Sequence, residues 1–331
     1  RRQRQMCIRD RYRAFFVKIK FGLFYTIVRS YASRTQIRTP RPSETLPAVR
    51  QVFSPLLRKI FMPIVLICLM LVYAGLGAFS WLQHKKHNNK SYPLKTELLI
   101  LSGALLVHGA ALMFPVLQDR VLITGFGYSL SLIVWLMLMM YCLGSFFYCL
   151  RGVQLLLYPC AALTLLLGFL FPGDFTGRQI VDLLPLSHIA SSLLAYGLFG
   201  IVTLFAILIL LLDRNLHKRR FSALVSFLPP LLSLEKLMFQ GMWAGFVLLT
   251  YSVISGTFFA EAVFGKPMTF THKTIFSIMS WLIYGALLLK HSMTAWRGKK
   301  AAVWTIVGFV SLIFAYVGSK FVLEIVLQRI G

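Results

Sequence analysis

Eight uninterrupted apolar runs leave this chain few folds to choose from. A helix rises about 1.5 Å per residue, so about 20 apolar residues are needed to cross a hydrocarbon core about 30 Å thick. Runs of that order cover approximately residues 60–83, 97–117, 127–150, 153–172, 188–212, 239–260, 275–293 and 301–327. Lipid has no water to satisfy open backbone groups, so the runs must be helical, and their continuity argues against the alternating pattern of a β-barrel. With 58% hydrophobic residues, the expectation is an all-α, polytopic transmembrane helical bundle of about eight spans.

Loop charge sets the expected orientation. Lys85, Lys86, Lys90, Lys95, Arg151, Arg214, Lys218, Arg219, Arg220, Arg297, Lys299 and Lys300 follow the first, third, fifth and seventh runs. The alternate loops and the end carry only Arg120, Arg178, Lys266, Lys273 and Arg329. Basic loops stay in the cytoplasm, so both termini of the natural 62–331 segment are expected outside. The stretch 221–238 is then cytoplasmic, broken at Pro229-Pro230, with the following turn expected along the interface.

Residues 1–61 have a different character. They hold 15 Lys/Arg against 2 Asp/Glu, leaving 20 against 8 for 62–331, so about half of the formal +25 lies outside the membrane-like part. Arg1 to Arg11 ("RRQRQMCIRDR") resemble a translated transposase-type sequencing adapter. Basic, aperiodic sequence follows until Met62, a start-like methionine leading directly into the first run. The expected organisation is therefore a non-native, disordered extension over 1–61 and one membrane domain over 62–331. Nucleic acid is not an expected partner, because that reading would rest on charge in the extension.

Cys68, Cys142, Cys149 and Cys160 lie within runs without a CxxC or CxxCH pattern, which supports neither disulfide nor covalent haem chemistry. Histidines offer more. His84, His87 and His217 fall in basic loops. His108 ("GALLVHGAALM") is near mid-span, His188 ("LLPLSHIASSLLAYGLF") is at an outer mouth, His291 is at an inner end and His272 is in the outer loop before that span. A polar ring at membrane depth needs a partner. A neighbouring carbonyl or serine can supply one, and three such rings on different spans also suit axial ligation of haem iron. Zinc fits less well, since no Cys, Asp or Glu set stands at ligand spacing.

The ordered motifs "LPLSHIASSLLAYGLF", "PPLLSLEKLMF", "SIMSWLIYGALLLKH", "AWRGKKAAVW" and "FAYVGSK" resemble the cytochrome c assembly family of haem-handling membrane proteins, the CcsA, CcmC and HemX relatives. Within that family the likeness is to the short HemX-like or YpjD-like inner-membrane branch. The resemblance implies a multi-pass protein of the bacterial inner membrane that handles non-covalent haem b, with haem and other cytochrome c assembly or haem-pathway proteins as partners. It implies that His188 is an external haem ligand and that His108 and His291 are a transmembrane pair for haem from the cytoplasmic side. His108 lies about 10 Å deeper than His291 by helical rise, a mismatch for a pair.

Two departures from the family pattern matter. The external WGxxWxWD motif of haem-presenting members is replaced by "FGKPMTFTHKT", and the second external histidine meets Leu327-Gln328. Haem presentation is therefore incomplete, a full cytochrome c synthetase is not expected, and no catalytic residue is assigned. His272 is a substitute candidate beside His188. Lys320 is a candidate for a haem propionate, although an i,i+4 ion pair with Glu324 is the simpler reading. The competing classes are a haem lyase subunit that needs a partner, a transporter, and a ligand-free regulatory or scaffold protein.

Overall fold

The computed structural model describes residues 45–86, 93–119, 121–123, 125–148, 150, 152–171, 177–179, 183–217, 228–258, 272–294 and 296–322. The adapter-like residues 1–11, the interfacial stretch before Leu228, Phe270, Glu324 and 327–328 lie outside them. The chain divides into two compact units, Arg1–Phe61 and Met62–Gly331. In the first, the described residues from Thr45 onward are helical.

The elements of the larger unit follow the apolar runs. Of helix α1 (Thr45–Lys86) this unit holds the part from Met62, with the membrane-length stretch Pro63–Gln83; α2 is Leu94–Asp119 and α3 is Phe126–Phe147. They are followed by α4 (Gln154–Leu170), α5 (Leu183–His217), α6 (Leu231–Phe258), α7 (His272–Thr294) and α8 (Gly298–Ile313). Helix α8 continues through a π turn, Phe314–Gly318, into a last helical turn, Ser319–Phe321. Among the described residues, seven helices are long and apolar enough to span a membrane, and α4 is a shorter apolar helix of 17 residues. This is a polytopic helical membrane bundle.

Two features differ from the sequence expectation. A short ribbon pairs β1 (Val121–Ile123) with β2 (Gly177–Gln179), Leu122 standing opposite Arg178. The residues after Pro230 do not form a separate interfacial turn; they open α6 directly. Proline needs no backbone donor, and at a helix entrance none is required.

Helix α5 is the centre of the bundle. The buried share of its most apolar window is 72%, against 22–44% in the other six long helices. Its apolar residues surround the axis, as expected for a helix enclosed on all sides: Ala195, Phe199 and Val202 are buried on one face, Leu204 and Leu208 on the opposite one, and Tyr196 and Phe205 on the flanks. Helices at the edge are two-faced. In α2, Leu101, Leu105, His108 and Leu112 form the inward stripe, whereas Leu99 and Leu106, seven apart, are 74% and 76% exposed. Close approach of α3 and α4 depends on Gly127: a Cβ there would lie 2.6 Å from the Gly168 carbonyl oxygen.

Candidate functional site

The inward stripe of α2 carries His108 into a dry niche between α1 and α3. Its Nδ1 shares a 3.1 Å hydrogen bond with the Tyr73 hydroxyl, and its Nε2 shares one of 2.8 Å with Ser131 Oγ. The ring is fully buried, with Tyr73 also in ring contact at 5.9 Å. A neutral imidazole has one N–H and one lone pair, so one hydroxyl donates to the ring and the other accepts from it. Both nitrogens are thereby engaged, and a metal at either one displaces a hydroxyl.

His291 is arranged differently. It lies in the last turn of α7, half-buried, stacked on Phe239 of α6 with ring centroids 3.5 Å apart and planes 12° from parallel. Nδ1 donates to the Trp296 carbonyl at 3.0 Å. A carbonyl only accepts, so the proton is on Nδ1 and the lone pair on Nε2. Metal-ligating histidines have this arrangement, the second nitrogen being tied to a backbone carbonyl that fixes tautomer and ring orientation. Lys290 Nζ lies 4.5 Å over the Trp296 ring, pinning the same turn.

His188 enters from the opposite end of α5, against α6. Its Nδ1 is 2.7 Å from Ser255 Oγ, and Ser255 itself donates to the Ser252 carbonyl at 3.2 Å. Ser255 thus stands between the imidazole and the Ser252 carbonyl, and tethers the ring to α6. Gly256 gives the ring its room, since a Cβ there would lie 3.0 Å from His188 Cε1. Hydroxyls line the adjacent seam: Ser192 donates to the His188 carbonyl and pairs with Ser252 at 2.6 Å, and Ser187 pairs with Tyr251 at 2.7 Å.

The partners named for His108, His188 and His291 do not overlap. His272, the first residue of α7, is exposed, and Lys320 is half-buried just beyond the π turn. Among the described residues, no group of three or more His, Cys, Asp or Glu side chains could hold a metal ion.

The partners that orient each ring, Tyr73, Ser131, Ser255 and the Trp296 carbonyl, carry no signal in the local sequence. A second polar centre stands apart from the histidines. Glu97, in the first turn of α2, is 1% exposed. Its Oε1 accepts from the hydroxyls of Tyr141, at 3.1 Å, and Tyr158. The signal was present in Glu97 at a span entrance and Gln154-x-x-x-Tyr158 at another, but each reads alone as ordinary span-end polarity.

Comparison with known proteins decides the family. Residues 97–327 match the family described as cytochrome C assembly protein. The chain belongs to the cytochrome c assembly family. Inner membrane protein YpjD of Escherichia coli K12 is 32% identical over 178 residues, 53% of this chain and 66% of that protein. A 28.8 kDa protein of Azospirillum brasilense is 31% identical over 140 residues, 42% of this chain and 52% of that protein. The cytochrome c biogenesis protein CcsA of Prochlorococcus marinus NATL1A is 35% identical over 85 residues, 26% of this chain and 27% of that protein. The chain thus spans less than two thirds of each of these relatives.

Proposed function

We propose that this member of the cytochrome c assembly family is an inner-membrane protein that binds or relays haem b without covalent attachment. The observation that carries the reading is His291, whose Nδ1–H is committed to the Trp296 carbonyl so that Nε2 carries the lone pair. His188 is the second candidate, its ring tethered through Nδ1 to Ser255 at 2.7 Å. Haem, when bound, would supply an iron that accepts an imidazole nitrogen and changes oxidation state. The chain's part is to orient Nε2, keep the niche dry and stack Phe239 behind the His291 ring. His108 would hold the iron only with Ser131 turned away from Nε2. His272 and Lys320 are secondary candidates, the latter for a propionate.

The test is the visible spectrum of the protein purified in mild detergent from haem-sufficient cells, oxidised and reduced, beside His108→Ala, His188→Ala and His291→Ala. Sharp reduced bands with near-stoichiometric haem are expected, shifted or lost in His291→Ala and His188→Ala. Wild-type protein without haem even after supplementation overturns the reading.

His108 has a second reading, favoured by its two occupied nitrogens: a structural ring that ties α1, α2 and α3 together. His108→Ala with an unchanged haem spectrum and reduced stability would select it.

A further inference from the structure

Glu97 and Gln154 present two buried polar atoms that no described residue satisfies. They are Glu97 Oε2 and Gln154 Nε2, on side chains 1% and 0% exposed. The other atoms of the same groups are well bonded. Glu97 Oε1 takes both phenolic protons, from Tyr141 and Tyr158. Gln154 Oε1 accepts from the Gly152 backbone N–H at 2.8 Å and lies 3.4 Å from the Tyr141 hydroxyl, whose one proton is directed mainly to Glu97.

The Gly152 bond fixes what the site can hold. A backbone N–H is always a donor, so the amide cannot be turned around without placing two donors against each other. Gln154 therefore offers an N–H to the site, and Glu97 offers an acceptor. A bare metal cation satisfies the carboxylate but is opposed by the amide N–H. The fitting occupant donates toward Glu97 Oε2 and accepts from Gln154 Nε2, and it must be small. Gly152 holds this frame in a backbone conformation (φ +92°) that side-chain-bearing residues rarely adopt, and a Cβ there would lie 2.2 Å from Leu228 Cδ2.

We propose that the entrance of α2, the last third of α3 and the first turn of α4 enclose a buried hydration site, where one ordered water bridges Glu97 Oε2 and Gln154 Nε2. Buried waters make about three hydrogen bonds to polar groups that would otherwise go unsatisfied, and in the membrane interior such groups are costly. The site shares none of the partners named for the three histidines and does not depend on haem. It makes this end of the bundle a wet pocket around a carboxylate, closed on the α3 and α4 sides by two tyrosines packed edge to face with centroids 6.1 Å apart.

Synchrotron hydroxyl-radical labelling of the intact detergent-solubilised chain, read by mass spectrometry, tests this directly, because radicals form in place from bound water. Tyr73 and Tyr284 are fully buried, like Tyr141 and Tyr158, and serve as dry controls. Oxidation of Tyr141 and Tyr158 several times faster than the controls is expected, falling to the control rate in Gln154→Met. Wild-type Tyr141 and Tyr158 labelled no faster than Tyr73 and Tyr284 would overturn the proposal; an Arg151 guanidinium seated against Glu97 would give that result. Persistent fast labelling in a folded Gln154→Met protein would overturn the bridging role of the amide. The wild-type comparison stands by itself should that variant fail to fold.

Discussion

Ser131→Ala and Tyr73→Phe each delete one hydroxyl from the His108 ring, yet they should move haem affinity in opposite directions. In the wild type Ser131 holds Nε2 at 2.8 Å and Tyr73 holds Nδ1 at 3.1 Å. Either deletion leaves a fully buried ring nitrogen without its partner, which costs about 1–3 kcal/mol of stability. Removing Ser131 abolishes the bond that competes with an iron for Nε2 and leaves Tyr73 to orient the ring. Taking the competing bond as about 1 kcal/mol, haem should bind roughly fivefold tighter. Removing Tyr73 instead deletes the orienting contact behind the ligand atom, a change that typically weakens metal binding about 10–100-fold. Soret titration of haem into apoprotein in mild detergent measures both effects, with unfolding in graded SDS as the stability control. Unchanged or weaker affinity in Ser131→Ala, at the expected loss of stability, would refute ligation by His108 and leave it the structural role.

Other expectations follow from packing and topology. Gly127→Ala should destabilise the bundle by about 1–3 kcal/mol as its Cβ meets the Gly168 carbonyl; Gly75→Ala, with nothing within 4 Å of the new methyl, should leave SDS resistance unchanged or slightly raised. Tyr196→Phe removes the hydroxyl that donates to the Leu312 carbonyl at 2.5 Å, so hydrogen–deuterium exchange should rise across 312–318 and stay unchanged in α2. Cysteine scanning with an impermeant maleimide on intact cells should label Lys273→Cys and spare His217→Cys; the reverse pattern would invert the orientation drawn from loop charge.

The spans were legible in the sequence because length and hydropathy act locally: α1 through α8 fall on the eight apolar runs. The short α4 and the β1–β2 ribbon were less so, since three strand pairings or a one-turn difference in helix length leave little trace in composition. The ring positions of His108, His188 and His291 were legible for the same local reason, each being a polar residue on an apolar run. Their chemical state was not. The partner of each ring comes from far along the chain: Ser255 is 67 residues from His188, and Ser131 is 23 residues from His108. The Glu97 centre needs residues 44 and 61 positions away, and no single segment contains enough of it to stand out.

The π turn in the last helix behaves as a slipped tooth in a gear. One residue beyond ordinary winding rotates everything after it by about 100° about the helix axis. Ala301, Ala302, Thr305 and Leu312 keep one buried phase up to the slip, and a periodic pattern extrapolated from them assigns the wrong azimuth to Lys320 and Phe321. Deleting a single residue within Phe314–Gly318 would re-aim that terminal segment while α8 kept its neighbours. Sequences aligned without a gap at this position would pair residues that point in different directions.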